Sequence, residues 1–160
     1  MRALILSLLL LASPALAENL GLPAAARALR TACAIDLQRA VNRDMKRAFS
    51  AYPTLWGLTI TDRNIGHRRV PNLQTLFTRI DAALPEGADF QPGDIVAWML
   101  PGNPAHIGIL SDQSAGSHPM ALRNIGRGAQ EKDILNRFPI IGHYRLTPEV
   151  VDRLRTLGAD

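Results

Sequence analysis

Between Phe90 and Asp112 the chain reads FQPGDIVAWMLPGNPAHIGILSD, two short apolar runs flanking a Pro/Gly breaker, and this pattern confines the stretch to a β-hairpin. Gln91-Pro92-Gly93-Asp94 supplies the opening turn, because proline pre-sets φ and glycine permits a positive one. Ile95 to Leu100 then reads as a buried strand, Pro101-Gly102-Asn103-Pro104 breaks it, and His106 to Leu110 reads as the returning strand. A side-chain period of two places His106, Gly108 and Leu110 on one face and Ile107 and Ile109 on the other. Gly108 leaves space beside the imidazole for a ligand or for a neighbouring backbone. Two readings of His106 stay open: a structural histidine bonded to a backbone carbonyl, or a site residue.

The segments around this hairpin read mainly as helices. Leu22 to Leu29 is rich in Ala and Arg, and Leu37, Val41, Met45, Ala48 and Phe49 follow helical spacing. Arg39, Arg43, Asp44, Lys46 and Arg47 are expected on a solvated face, and Tyr52-Pro53 is expected to end the helix. Trp56 to Arg69 has no clean period. Its His67-Arg68-Arg69 cluster is either an exposed basic loop or a contact for an anionic group, since Arg forks suit carboxylates. Val70-Pro71-Asn72 starts a further helix whose apolar positions run to Leu84. Met120 to Ile125 and Pro139 to Arg145 are expected strands, and Thr147-Pro148 caps a terminal helix closed by Gly158. Asn124-Ile125-Gly126-Arg127-Gly128 lacks the Lys-Ser/Thr of a phosphate loop. Helices followed by an antiparallel sheet predict an α+β fold.

Met1 to Ala17, MRALILSLLLLASPALA, combines Arg2, an apolar run and an A-x-A site, the pattern of a secretory leader cleaved after Ala17. Residues 18–160 are expected to form one domain, in the periplasm and free of a membrane anchor after cleavage. Without Arg2 the chain carries 17 Lys+Arg against 14 Asp+Glu, with no basic run, which disfavours a nucleic-acid partner. The expected oligomeric state is a monomer. Cys33 is the single cysteine, so an intrachain disulfide is excluded. Flanked by Ala32, Ala34 and Ile35, it reads as a buried small hydrophobe, with an intermolecular partner or a nucleophile as alternatives. His67, His106 and His143 lack close ligand spacing, so no metal or other cofactor is expected.

Several stretches carry a family likeness: Ile35-Asp36-Leu37-Gln38, Phe49-Ser50-Ala51-Tyr52-Pro53, Trp56-Gly57-Leu58, His67-Arg68-Arg69-Val70-Pro71-Asn72-Leu73, Gln91-Pro92-Gly93-Asp94-Ile95-Val96, His106-Ile107-Gly108-Ile109 and Gly142-His143-Tyr144-Arg145. Together they resemble the exported bacterial family known as domain of unknown function 1287, and through it the NlpC-type, papain-like cysteine hydrolases, many of which cut peptidoglycan amides. The resemblance implies N-terminal helices packed on a small antiparallel sheet, and it makes His106 the catalytic histidine. It also implies that Asn124 orients that ring and that Asp94, His67, Arg68 and Trp98 contact an envelope amide substrate. The nucleophile of such enzymes opens the first helix, where its thiolate is favoured. Counting back reaches Gly21 and Leu22, where no cysteine stands, and Arg123 replaces the histidine expected before Asn-Ile-Gly. An N-terminally shortened, catalytically impaired relative of the amidases is therefore expected. A thiol amidase using Cys33 and His106, or a non-catalytic envelope-binding module, are the alternatives.

Overall fold

A computed structural model of the protein describes residues 24–124 and 129–159. The leader, the Gly21–Leu22 position and Ile125 to Gly128 lie outside the described residues. Among the described residues are four α-helices and five strands, in the order α1 (Ala24–Cys33), α2 (Leu37–Arg47), α3 (Val70–Arg79), β1 (Ile95–Met99), β2 (Ala105–Ala115), β3 (His118–Asn124), β4 (Ala129–Lys132), β5 (Ile140–Tyr144) and α4 (Pro148–Gly158). This is the α+β arrangement expected, and no described helix is long and apolar enough to cross a membrane.

Short-range chemistry sets most element ends. Ala34, in the left-handed region at φ 54°, stops α1, and the Asp36 side chain caps α2 by accepting from Arg39 N at 3.0 Å. Pro71 occupies the first turn of α3, where its missing N–H costs nothing. That helix ends at Arg79, short of the expected Leu84. Asp81 turns left-handed at φ 60°, and Ala82 N closes back on Phe77 O at 2.9 Å. Thr147 caps α4 by accepting from Val150 N at 3.3 Å.

All strand pairs are antiparallel, in the spatial order β4-β3-β2-β1-β5, so the hairpin forms the middle of the sheet. Its register sets Ile95 opposite Ile109, Val96 opposite Gly108 and Trp98 opposite His106. β4, sequence AQEK, escapes the sequence reading because an edge strand that is half exposed carries no apolar run.

The sheet is covered on both faces. Ile95, Ala97, Ile107, Ile109 and Tyr144 join the helices in the larger core, against Leu29, Val41, Met45, Phe77 and Leu154. On the opposite face Val96, Trp98, Leu110 and Ala121 pack under Ile134 and Leu135. One helical residue departs from expectation: Asp44 is buried instead of solvated. Arg79 Nε reaches its carboxylate at 2.6 Å and Tyr52 donates to it at 2.8 Å, which compensates the desolvated charge and ties α2, α3 and the turn at Phe49–Ala51 together.

Candidate functional site

The hairpin delivers His106 to the sheet face away from the helices. Trp98, its cross-strand neighbour, belongs to the smaller core, and Gly108, two residues on, stands on the same face. The space beside the ring is closed by protein: a Cβ on Gly108 would lie 2.8 Å from Leu122 O and 3.1 Å from Trp98 Cζ3. Ala121 on β3 faces the same way, and alternation carries Arg123 there too.

His106 Nε2 and Arg123 Nε are both buried and both without a hydrogen-bond partner. Native folds rarely leave such groups unmatched, so this pair on one sheet face is the candidate position for a bound water or a ligand group. Burial lowers the pKa of His106, and the nearby Arg123 charge lowers it further. A neutral imidazole beside a guanidinium can offer an N–H to a carbonyl or carboxylate, or take up a proton.

The other expected site residues are not gathered around it. Asp94 lies four residues along β1 from Trp98, about 13 Å at strand rise, and it is fully engaged. It accepts from His143 Nε2 at 2.7 Å, from Arg145 Nε and Nη2 at 2.8 Å each, and from Gln91 N at 2.9 Å. With Phe90 stacked on His143 at 4.5 Å, this network fastens the opening turn to β5 and is structural. The Asp94–His143 pairing joins residues 49 positions apart, and the Gly142-His143-Tyr144-Arg145 motif is its trace in the sequence. Trp98, expected to meet substrate, is wholly buried and donates its Nε1–H to Leu135 O at 3.1 Å, so it is a packing residue. Asn124 ends β3 and alternates onto the face of Leu122 and Ile109, opposite that of His106. His67 and Arg68 sit in the turn Gly66–Arg68 before α3, with His67 buried and Arg68 exposed.

Cys33 closes α1 instead of opening a helix, and it is buried in the helix-side core. Burial pushes its thiol pKa up, which Arg155, bonded to Cys33 O at 2.8 Å, only partly opposes. The sheet therefore separates its sulfur from the imidazole. Among the described residues no group of three His, Cys, Asp or Glu is arranged to hold a metal.

His67 resembles His106 electrostatically. Neither of its ring nitrogens makes a hydrogen bond of acceptable geometry, and burial lowers its pKa, with the Arg63 backbone a partial offset. Both rings are thus neutral in the fold at a pH where the unfolded chain already binds protons. Stability from these two groups is complete above the ordinary imidazole value of 6.5 and is lost as pH falls through it towards the depressed folded values. Urea titrations across that interval should show declining stability, and His67→Gln should flatten the decline. A pH-independent midpoint would contradict this account.

With the geometry in place, comparison with known proteins defines the class. The family model described as "Domain of unknown function (DUF1287)" matches residues 23–146. The chain belongs to this family. It is similar to "Uncharacterized protein YijF" of Escherichia coli (strain K12), 48% identical over 123 residues, which is 74% of this chain. The chain spans 60% of that relative's length. No solved structure matches significantly.

Proposed function

We propose that this protein is an exported, papain-like relative of cell-wall cysteine amidases that binds an amide-bearing envelope polymer, peptidoglycan in the first instance, at His106 and Arg123, and that Cys33 performs no catalysis. The observation carrying this reading is that His106 and Arg123, both partly exposed, share one sheet face while His106 Nε2 and Arg123 Nε make no hydrogen bond within the protein. A peptide carbonyl or carboxylate accepts from such donors, and the guanidinium strengthens the bond through its charge. Support for export comes from the Met1–Ala17 sequence pattern. Support for the papain-like relation comes from the Pro92-Gly93-Asp94 turn entering one strand and His106 near the start of the next.

Thiol catalysis requires a sulfur within roughly 2.6–3.2 Å of its base, or somewhat more in a free enzyme. Cys33 lies in the other core, with its thiolate disfavoured by burial. The folded protein should pull down with purified peptidoglycan, losing affinity roughly tenfold on Arg123→Ala or His106→Ala as one charge-assisted or buried hydrogen bond is removed. Cys33→Ala should leave binding intact, and iodoacetamide should alkylate Cys33 slowly. Amide hydrolysis abolished equally by Cys33→Ala and His106→Ala would overturn the proposal, because residues acting as one catalytic unit give similar losses singly.

A further inference from the structure

The sheet face that carries His106 and Arg123 continues onto β4. Directly opposed residues of an antiparallel pair share a face, and Arg123 stands opposite Gln130 while Ala121 stands opposite Lys132. Gln130 and Lys132 are therefore on the side of His106, and both are exposed, whereas Ala129 and Glu131 alternate to the other side. Neither the Gln130 nor the Lys132 side chain makes a hydrogen bond or ion pair with another described residue.

Register also sets the spacing. Ile109 lies opposite Leu122 and Leu110 opposite Ala121, which continues to Gly108 opposite Arg123. Arg123 is thus diagonal to His106 on one side and to Lys132 on the other, each about 7–8 Å away between Cα atoms and within reach of long side chains. The three cross the sheet in a line roughly 15 Å long. No nearby carboxylate serves them. Glu131 points to the other face, Asp133 is paired with His118 at 2.8 Å, and Asp112, past the register shift in β2, accepts from Gln113 Nε2 at 3.2 Å. Arg123 and Lys132 leave two permanent positive charges on this line with no described acidic partner.

We propose that the site takes an acidic ligand: an amide carbonyl accepts from His106, and a free carboxylate farther along the same ligand accepts from Arg123 and Lys132, with the Gln130 amide as a further donor. The inference rests on the reading of His106 and Arg123 as a site for an amide-bearing polymer, and it adds the requirement for the carboxylate. A guanidinium and an ammonium one diagonal apart suit the two oxygens of one carboxylate. A phosphate offers the same oxyanion chemistry, and the test separates the two.

Binding of the full chain is measured to purified peptidoglycan and to the same polymer after carbodiimide coupling of its free carboxyl groups to methylamine, with acetate and inorganic phosphate at matched ionic strength as competitors. Blocking the carboxyl groups should weaken binding roughly tenfold. Lys132→Gln should weaken binding to the untreated polymer about two- to fivefold, the range of an exposed ion pair, and narrow the difference between the polymers. Lys132→Arg should keep that difference. Lys46→Gln removes an equal charge from an exposed position of α2 and should bind like the parent. Equal binding of both polymers, still weakened by His106→Ala, would overturn this inference and leave the amide-binding reading standing, whereas binding to neither would overturn both. Parent-like binding by Lys132→Gln would reduce the lysine to a guard of the edge strand and overturn the inference too. So would equal losses from Lys46→Gln and Lys132→Gln, or displacement by phosphate and not by acetate.

Discussion

Replacing Arg145 with alanine is expected to destabilise the protein by about 3–5 kcal/mol, the cost of breaking a buried ion pair by removing one partner. The Asp94 side chain is 2% exposed and Arg145 reaches it through two nitrogens, at 2.8 Å each, while a further bond from Nη2 to Asp89 O at 2.7 Å anchors the turn before β1. Without the guanidinium the carboxylate keeps only His143 and Gln91 N, and the charge is no longer balanced by a permanent cation. Asp94→Asn should be destabilising as well, because its amide nitrogen is a donor set against the donors of Arg145 or His143. Chemical denaturation gives the free energies. Hydrogen exchange should show β5 opening first in Arg145→Ala, because that strand is the sheet's edge beyond β1, is bridged on its other side only by the short Ala82–Leu84 segment among the described residues, and is held at its end by this network. Equal stability of Arg145→Ala and the parent protein would show that the cluster contributes nothing net.

Trp98→Ala is expected to cost a similar amount, about 3–5 kcal/mol, through lost apolar burial and the cavity left behind. Its ring is among the largest fully buried side chains and fills the smaller core between β1 and the segment carrying Ile134 and Leu135. Losing it also strands Leu135 O, to which its Nε1 donates. The opposite perturbation, Gly108→Ala, should be costly for overpacking, typically about 1–3 kcal/mol, because the added Cβ meets backbone at Leu122 O as well as the indole. If Trp98→Ala left the urea midpoint unchanged, the indole would not be a packing element.

What the sequence determined by itself was local. Pro92-Gly93, Pro101 to Pro104, Thr147-Pro148 and the helical apolar spacings act over a few residues, through φ restriction, capping and side-chain period, and the hairpin, α4 and the cores of α2 and α3 followed from them. Cys33 could be read as buried at a helix end because its neighbours are apolar and Asp36 starts the next helix. The tertiary structure decided the rest. Asp94 reads as a site acid until strand pairing brings His143 and Arg145 to it, about fifty positions later. Trp98 reads as a ligand platform until Leu135 covers it, and Asn124 reads as a partner of His106 until alternation along β3 turns it to the other face. Orphaned atoms such as Arg123 Nε and Asn72 Oδ1 are invisible in sequence for the same reason: being unmatched is a property of everything packed around a group, and that packing is set by contacts between distant segments.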